Sequence, residues 1–480
     1  MSSDPQSYLA RWLFLRFLGA IYLIAFLSFW IQVEGLIGSN GILPAAELMQ
    51  RAHERIPWRF DLLPTLAWFN ASDRFLHFLC GGGVFFSLLL IAGFLQPVVL
   101  FLLWLFYLSL VTVSGEFLSF QWDNLLLETG FLAIFFAPFQ LLPRFSRESP
   151  PSRIVLWLLW WLLFRLMFES GWVKLLSGDP TWRNLTALTY HYETQPLPTW
   201  IGWYVHQLPE WFQKFSCTLM FAIELIAPFF IFGTRRFRLA AFGILVGFQL
   251  LIAATGNYTF FNLLTIVLCL LLLEEPSPSA GGSSVRKVMV AAVAGLILFV
   301  TGFQLLGMFL GRRNLPQPIR KALGVIAPFR SINNYGLFAV MTAKRPEILI
   351  EGSADGETWK AYGFKYKPGD VDKHPGFVAP HQPRLDWQMW FAALGRCEHN
   401  PWFLNFMRRL QEGKPEVLKL LASNPFPDHP PAHLRAVLYE YHFTTLDMKR
   451  ADGSWWWRSE LGLYCPVLSS KSRAPYEKSH

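Results

Sequence analysis

The chain has 480 residues, 53% of them hydrophobic, with 21 Trp, 45 Phe and a formal net charge of +9. Apolar runs of roughly 18–23 residues, enough to cross a hydrocarbon core about 30 Å thick, recur through the first 310 or so positions, which excludes a soluble domain and predicts a polytopic membrane protein. The basic excess forms no single stripe, so no nucleic-acid partner is expected.

In chain order, the first span covers 12–32, flanked by Arg11 and interrupted by Arg16. It has no small-residue cleavage site and reads as a retained signal anchor. Residues 35–73 are mixed and amphipathic, with Arg51, His53, Glu54 and Arg55 among apolar neighbours, and are expected on the membrane surface. Further spans fall at 75–94, 97–113, 122–142, 154–175, 215–232, 237–254, 260–273 and 288–310, nine in all. The triplet Gly81, Gly82, Gly83 either lets helices approach closely or marks a break, and 260–273 is short.

Arginines between spans suggest the orientation. Arg144, Arg147 and Arg153, then Arg235, Arg236 and Arg238, then Arg286 and Lys287 share one side if the N-terminus is cytoplasmic. The loop 178–211 and everything after about Gly311 then lie opposite, although Arg312 and Arg313 oppose this assignment. A Pro/Ser/Gly-rich linker covers 274–284.

The expected fold is a mainly α-helical polytopic membrane bundle, 1–310, followed by a β-rich α+β soluble domain, 311–480, lumenal or periplasmic. A hairpin is predicted from 347–352 and 359–366 around Asp355-Gly356, short helices at 403–410 and 417–421, and strands at 437–445 and 455–464. Of the five cysteines, Cys80, Cys217 and Cys269 sit in apolar segments. Cys397 and Cys465 can pair only if the soluble part meets an oxidising compartment.

Charges inside spans are the first place to look for function, because each costs roughly 2.5–3.5 kcal/mol at mid-bilayer. Glu128, Arg165, Glu169 and Glu224 define a polar interior, in which Arg165 and Glu169 share one helix face at i,i+4 spacing and can offset each other. They form either a substrate or proton cavity or an interhelical lock. Lys174, nine positions beyond Arg165, falls on the opposite helix face. It can snorkel to the interface or, desolvated, act as a base. In the soluble part, Asp428, His429 and His433 are separated by prolines that break any aligning helix, so no metal site is expected.

Several stretches resemble the lipase maturation factor family. They include Phe120-Gln121-Trp122-Asp123-Asn124 continuing to Glu128-Thr129-Gly130, then Gly171-Trp172-Val173-Lys174 continuing to Trp182, and Tyr190-His191-Tyr192-Glu193-Thr194-Gln195-Pro196. The soluble part adds Pro380-His381-Gln382-Pro383-Arg384-Leu385-Asp386-Trp387, Asn400-Pro401-Trp402-Phe403, Tyr439-Glu440-Tyr441-His442 and Ser454-Trp455-Trp456-Trp457-Arg458. The resemblance implies a non-enzymatic role in folding and assembly of secreted proteins, with immature lipases as clients and no cofactor. It also implies a membrane location, in the endoplasmic reticulum for a eukaryotic source or the inner membrane for a bacterial one. Trp402, Trp455, Trp456 and Trp457 are then candidate client contacts, since Trp is favoured at binding hot spots. A more distant resemblance, Gly171-Trp172-Val173-Lys174-Leu175 followed by Trp182, is to the vitamin K-dependent carboxylase group. It would put a catalytic base on Lys174.

Overall fold

The structure is a computed structural model that describes residues 6–142, 151–275 and 284–469. Arg144, Arg147 and most of the 274–284 linker lie outside the described residues. A helix stands at each expected span: α1 (Gln6–Trp30), α2 (Asp73–Ala92), α3 (Gln96–Ser114), α4 (Gln121–Phe136), α5 (Arg153–Leu176), α6 (Glu210–Leu225), α7 (Arg235–Thr255), α8 (Phe261–Cys269) and α9 (Ser284–Leu310). Among the described residues, seven are long and apolar enough to cross a membrane.

The other two are α4, with 16 residues, and α8, with nine. At 1.5 Å per residue α4 reaches only about 24 Å, short of a full core. Both are shielded from lipid by the longer helices: Leu125, Leu126 and Leu127 of α4 and Leu264 of α8 are fully buried. The nine expected spans thus divide into seven long helices and two enclosed ones.

The glycine triplet does not break α2. A Cβ on Gly83 would fall 2.3 Å from the Phe26 ring, and one on Gly82 would fall 2.6 Å from Phe106. Absent side chains therefore let α2 pack between α1 and α3, as small residues do in lipid-embedded bundles.

Successive helices reverse direction, so their ends collect on two faces. One face gathers the start of α5 and the α6–α7 connection, where Arg235 and Arg238 pair with Glu275. The other gathers the ends of α1, α3 and α5, the start of α4 and the segment between α5 and α6. The C-terminal domain sits on this second face.

That domain is built on a four-stranded antiparallel sheet, in order β2-β1-β3-β4, from β1 (Arg345–Ser353), β2 (Lys360–Ala361), β3 (His433–Phe443) and β4 (Trp456–Ser469). Ile348 and Ile350 of β1 point into the core under α10 (Arg384–Ala393), while α11 (Pro401–Gln411) buries Phe403, Phe406 and Met407. β4 is an edge strand, paired only to β3 among the described residues. Its register against β3 shifts three times, at Leu434/Ala436, Ala436/Val437 and Leu438/Tyr439, as bulges do at sheet edges.

Two sequence expectations change here. The strand predicted over 359–366 shrinks to Lys360–Ala361, because after Tyr362, whose N–H still donates to the Ile350 carbonyl at 2.9 Å, Gly363 pairs with Ser423 and Tyr366 with Asp386. The surface segment 35–73 is covered in part by the domain: a Cβ on Gly35 would lie 2.4 Å from the Glu416 carbonyl, and Arg409 donates to the Gly41 carbonyl at 3.0 Å. Aromatic packing also continues across the junction, with Trp122 against Trp387 at 4.9 Å between ring centres and Phe117 against Trp402 at 5.8 Å.

Candidate functional site

The intramembrane charges form two separate clusters on opposite faces of α5. On one face Arg165 pairs with Glu128 of α4 and donates to the Asn333 carbonyl at 2.8 Å. Arg165 and Glu169, neighbours on the helix, do not serve as each other's hydrogen-bond partner. Glu169 instead accepts from the Tyr335 backbone N–H at 2.7 Å.

Two carboxyl groups stand against one guanidinium, and the segment after α9 supplies further hydrogen-bond partners. The second oxygen of Glu128 accepts from the Asn333 N–H at 2.9 Å, the Asn333 side chain at 3.1 Å and the Tyr335 hydroxyl at 2.7 Å. Arg330 adds a bond to the Asn124 side chain at 3.1 Å. A buried pair gains stability as its remaining lone pairs and protons are satisfied, and residues 330–336 supply most of those partners, the Arg165 Nε being left without one. Sequence reasoning passed over this segment. Its signal was the polar run Asn333, Asn334, Tyr335 directly after an apolar span.

On the opposite face the Lys174 ammonium lies 2.9 and 2.8 Å from the two carboxylate oxygens of Glu224 and 2.9 Å from the Ser170 carbonyl. It is buried and does not snorkel. Gly171 makes the pair possible: a Cβ there would come within 2.8 Å of the Glu224 Cβ. All three ammonium protons are directed at acceptors. With its nitrogen so engaged, the geometry of Lys174 does not favour the base role that the carboxylase likeness would assign.

A third set of buried charges joins bundle to domain. Arg384 makes a bidentate pair with Asp123 at 2.7 and 2.9 Å, and Tyr107 donates to the same carboxylate. The Gln382 side chain accepts from Trp122 at 2.7 Å, and its backbone N–H donates to Ser28 at 2.9 Å. Arg345, wholly buried, donates to the carbonyls of Glu193, Gln195 and Pro196 and to Glu347. His381 rests 2.9 Å from the Ser28 hydroxyl. Burial, aided by the Arg384 and Lys365 charges, pushes its pKa down to about 4. Three of the family-like stretches, around Asp123, Glu193 and Arg384, thus meet at one joint.

The tryptophan candidates separate. Trp402 and Trp456 are each 2% exposed, packed against Phe117 and Phe443, and are core rather than surface. Their neighbours demand it: Trp402 fills the bundle–domain junction, and alternation along β4 turns Trp456 inward. Trp455 is half-buried between Trp203 and His374, with the Lys449 ammonium 3.4 Å above its ring centre. Trp457 alone of the four is exposed, at 42%. Cys397 and Cys465 are joined as a disulfide linking the turn before α11 to β4.

Seven long apolar helices with a charge-clamped sheet domain on one end define a multi-pass integral membrane protein with a fixed extramembrane domain. The chain belongs to the lipase maturation factor family: residues 9–279 match the lipase maturation factor transmembrane domain and 331–466 match the lipase maturation factor C-terminal domain. Similar relatives include lipase maturation factor 2 of Xenopus tropicalis, 36% identical over 96% of this chain and 83% of that protein. Lipase maturation factor 2 of Gallus gallus is 37% identical over 94% and 80%. Lipase maturation factor 1 of Homo sapiens is 34% identical over 98% and 89%. No solved structure matches the chain.

Proposed function

We propose that this protein is a non-catalytic maturation factor that holds incompletely folded secreted proteins, lipases among them, beside the membrane while they fold and assemble. The observation that carries this reading is the likeness to relatives named for lipase maturation, continuous from α1 through the sheet domain. The domain faces the non-cytosolic side, in the endoplasmic reticulum of a eukaryote or the periplasm of a bacterium. Supporting this orientation, Arg11, Arg153, Arg235 and Arg236 belong to the opposite end of the bundle, as the positive-inside rule requires. The disulfide suits the same oxidising compartment.

Client contact falls on β4. Its outer edge offers backbone donors and acceptors to an extended segment, and its exposed face carries Trp457, Leu461, Leu463 and Val467. Among the four tryptophans, only Trp457 remains a surface contact.

The test is co-expression of the full chain with a secreted lipase in cells lacking their own maturation factors, reading lipase activity per mass of secreted lipase. Restored specific activity is expected, and it should fall in Leu461→Lys/Leu463→Lys, whose side chains are solvent-facing. Specific activity no higher than without the chain would overturn the reading.

A further inference from the structure

Enclosed by α5, α6, α7 and α8, below the helical turns Leu188–Thr194 and Trp200–His206, lies a cavity of about 330 Å³. That is the size of a small-molecule site, for which roughly 300–1,000 Å³ is usual. Met167, Met220, Ile223, Phe248 and Ile252 make its walls apolar. At its mouth Leu219 of α6 and Leu251 of α7 are 46% and 63% exposed on the outer surface of the bundle. A molecule entering there comes from lipid rather than water.

The extramembrane end of the cavity is polar, and its hydrogen-bond directions can be worked out. The Gln195 amide donates to the carbonyls of Tyr192 at 3.2 Å and Thr255 at 2.8 Å, which fixes its oxygen toward Tyr258. Tyr258 donates its single proton to that oxygen at 3.0 Å. His191, whose Nε2 lies 3.1 Å from the same hydroxyl, must then be the donor in that contact. Burial, aided by the Lys174 charge, lowers the His191 pKa to about 4, so the ring is neutral. Its Nδ1 therefore carries a lone pair, and it has no partner among the described residues.

The Lys174–Glu224 pair in the same wall is neutral overall, with every ammonium proton already engaged. An anionic headgroup would have to break that pair. A hydroxyl would not.

We infer that this cavity binds an uncharged, hydroxyl-bearing lipid of the monoacylglycerol type, drawn from the membrane between α6 and α7. Its hydroxyl donates to Nδ1 of His191. Its acyl chain runs down α5 from Lys174 toward Leu166, eight residues or about 12 Å. This site does not depend on the maturation role.

The experiment uses the full chain in lipid nanodiscs with a photoactivatable monoacylglycerol carrying a diazirine in its acyl chain. Labelling is expected on peptides containing Met167, Met220, Ile223 and Phe248, displaced by excess monoacylglycerol but not by the matching fatty acid. His191→Phe should lower labelling about three- to ten-fold, the equivalent of one lost hydrogen bond. Leu219→Trp closes the mouth from a half-exposed position and should abolish cavity labelling with the melting temperature unchanged, so the test survives a His191→Phe variant that fails to fold. Labelling spread over lipid-facing residues and indifferent to Leu219→Trp, or equal displacement by the fatty acid, would overturn the assignment.

Discussion

The two faces of α5 carry charges of similar cost but opposite surroundings. Around Arg165, the side chains of Glu128, Glu169, Asn333 and Tyr335 close a network; a cavity of about 420 Å³ is lined by Asn333 and Tyr335, but not by Arg165, Glu128 or Glu169. Around Lys174, one side is a tight bidentate pair and the other is open volume. The first arrangement serves to join elements and the second to border a compartment. An ion pair within a membrane span is thus no single kind of evidence. Its meaning depends on whether the remaining space beside it is occupied.

The difference can be broken at its strongest point first. Arg165→Met strands two buried carboxylates and should cost about 3–5 kcal/mol, enough to abolish monodisperse protein in detergent size-exclusion chromatography. Glu128→Gln/Arg165→Met should recover part of that yield, because removing both partners leaves less uncompensated charge. Arg384→Met should act with comparable force at the joint, where Asp123 would be stranded, and the melting temperature measures it.

A smaller effect is expected on the open face. In Lys174→Met the Glu224 carboxylate borders open volume rather than packed neighbours. The loss should be about 1.5–3 kcal/mol, the value of hydrogen bonds to a charged group. A melting-temperature drop as large as that of Arg165→Met would erase the distinction between the faces.

Smaller still is a pH effect at the joint. His381 has a folded pKa of about 4, below its ordinary value of 6.5. Above pH 6.5 the imidazole is neutral in both folded and unfolded states, and its contribution to stability is complete. As pH falls from 6.5 toward 4 the unfolded chain takes up a proton that the folded one refuses, and that stability is lost. The melting temperature should therefore decline through this window, and less steeply in His381→Gln.

Much of the fold was legible because lipid demands continuous apolar helices, and those are visible as runs of Leu, Phe, Val and Ile. The two enclosed helices read as spans for the same reason: apolar composition does not distinguish a neighbour of lipid from a neighbour of helices. Glu128, Arg165, Glu169 and Glu224 were visible as charges out of place, but their partners were not. Helical spacing favoured Arg165 with Glu169, whereas the structure pairs Arg165 across to α4 and brings Tyr335, 166 positions away, to Glu169. Such long-range partners leave no local periodicity. In the same way the stretch from Ser454 to Arg458 showed its aromatic content, yet only the pairing of β4 with β3 decides that Trp456 points in and Trp457 out. Helix α10 went unpredicted: ten residues from Arg384 to Ala393 follow Pro383, which is its N-terminal cap position.

Bundle and C-terminal domain are one body, clamped by Asp123–Arg384, by Glu128 and Glu169 on residues 333–335, and by Arg345 on the 193–196 carbonyls. Amide hydrogen exchange of the detergent-solubilised full chain across a denaturant series tests it directly. Strands β1 and β3, residues 331–336 and the turn Leu188–Thr194 should lose protection at a common denaturant concentration. Strands that open well before residues 331–336 would contradict the claim and make the domain an independent unit tethered to the bundle.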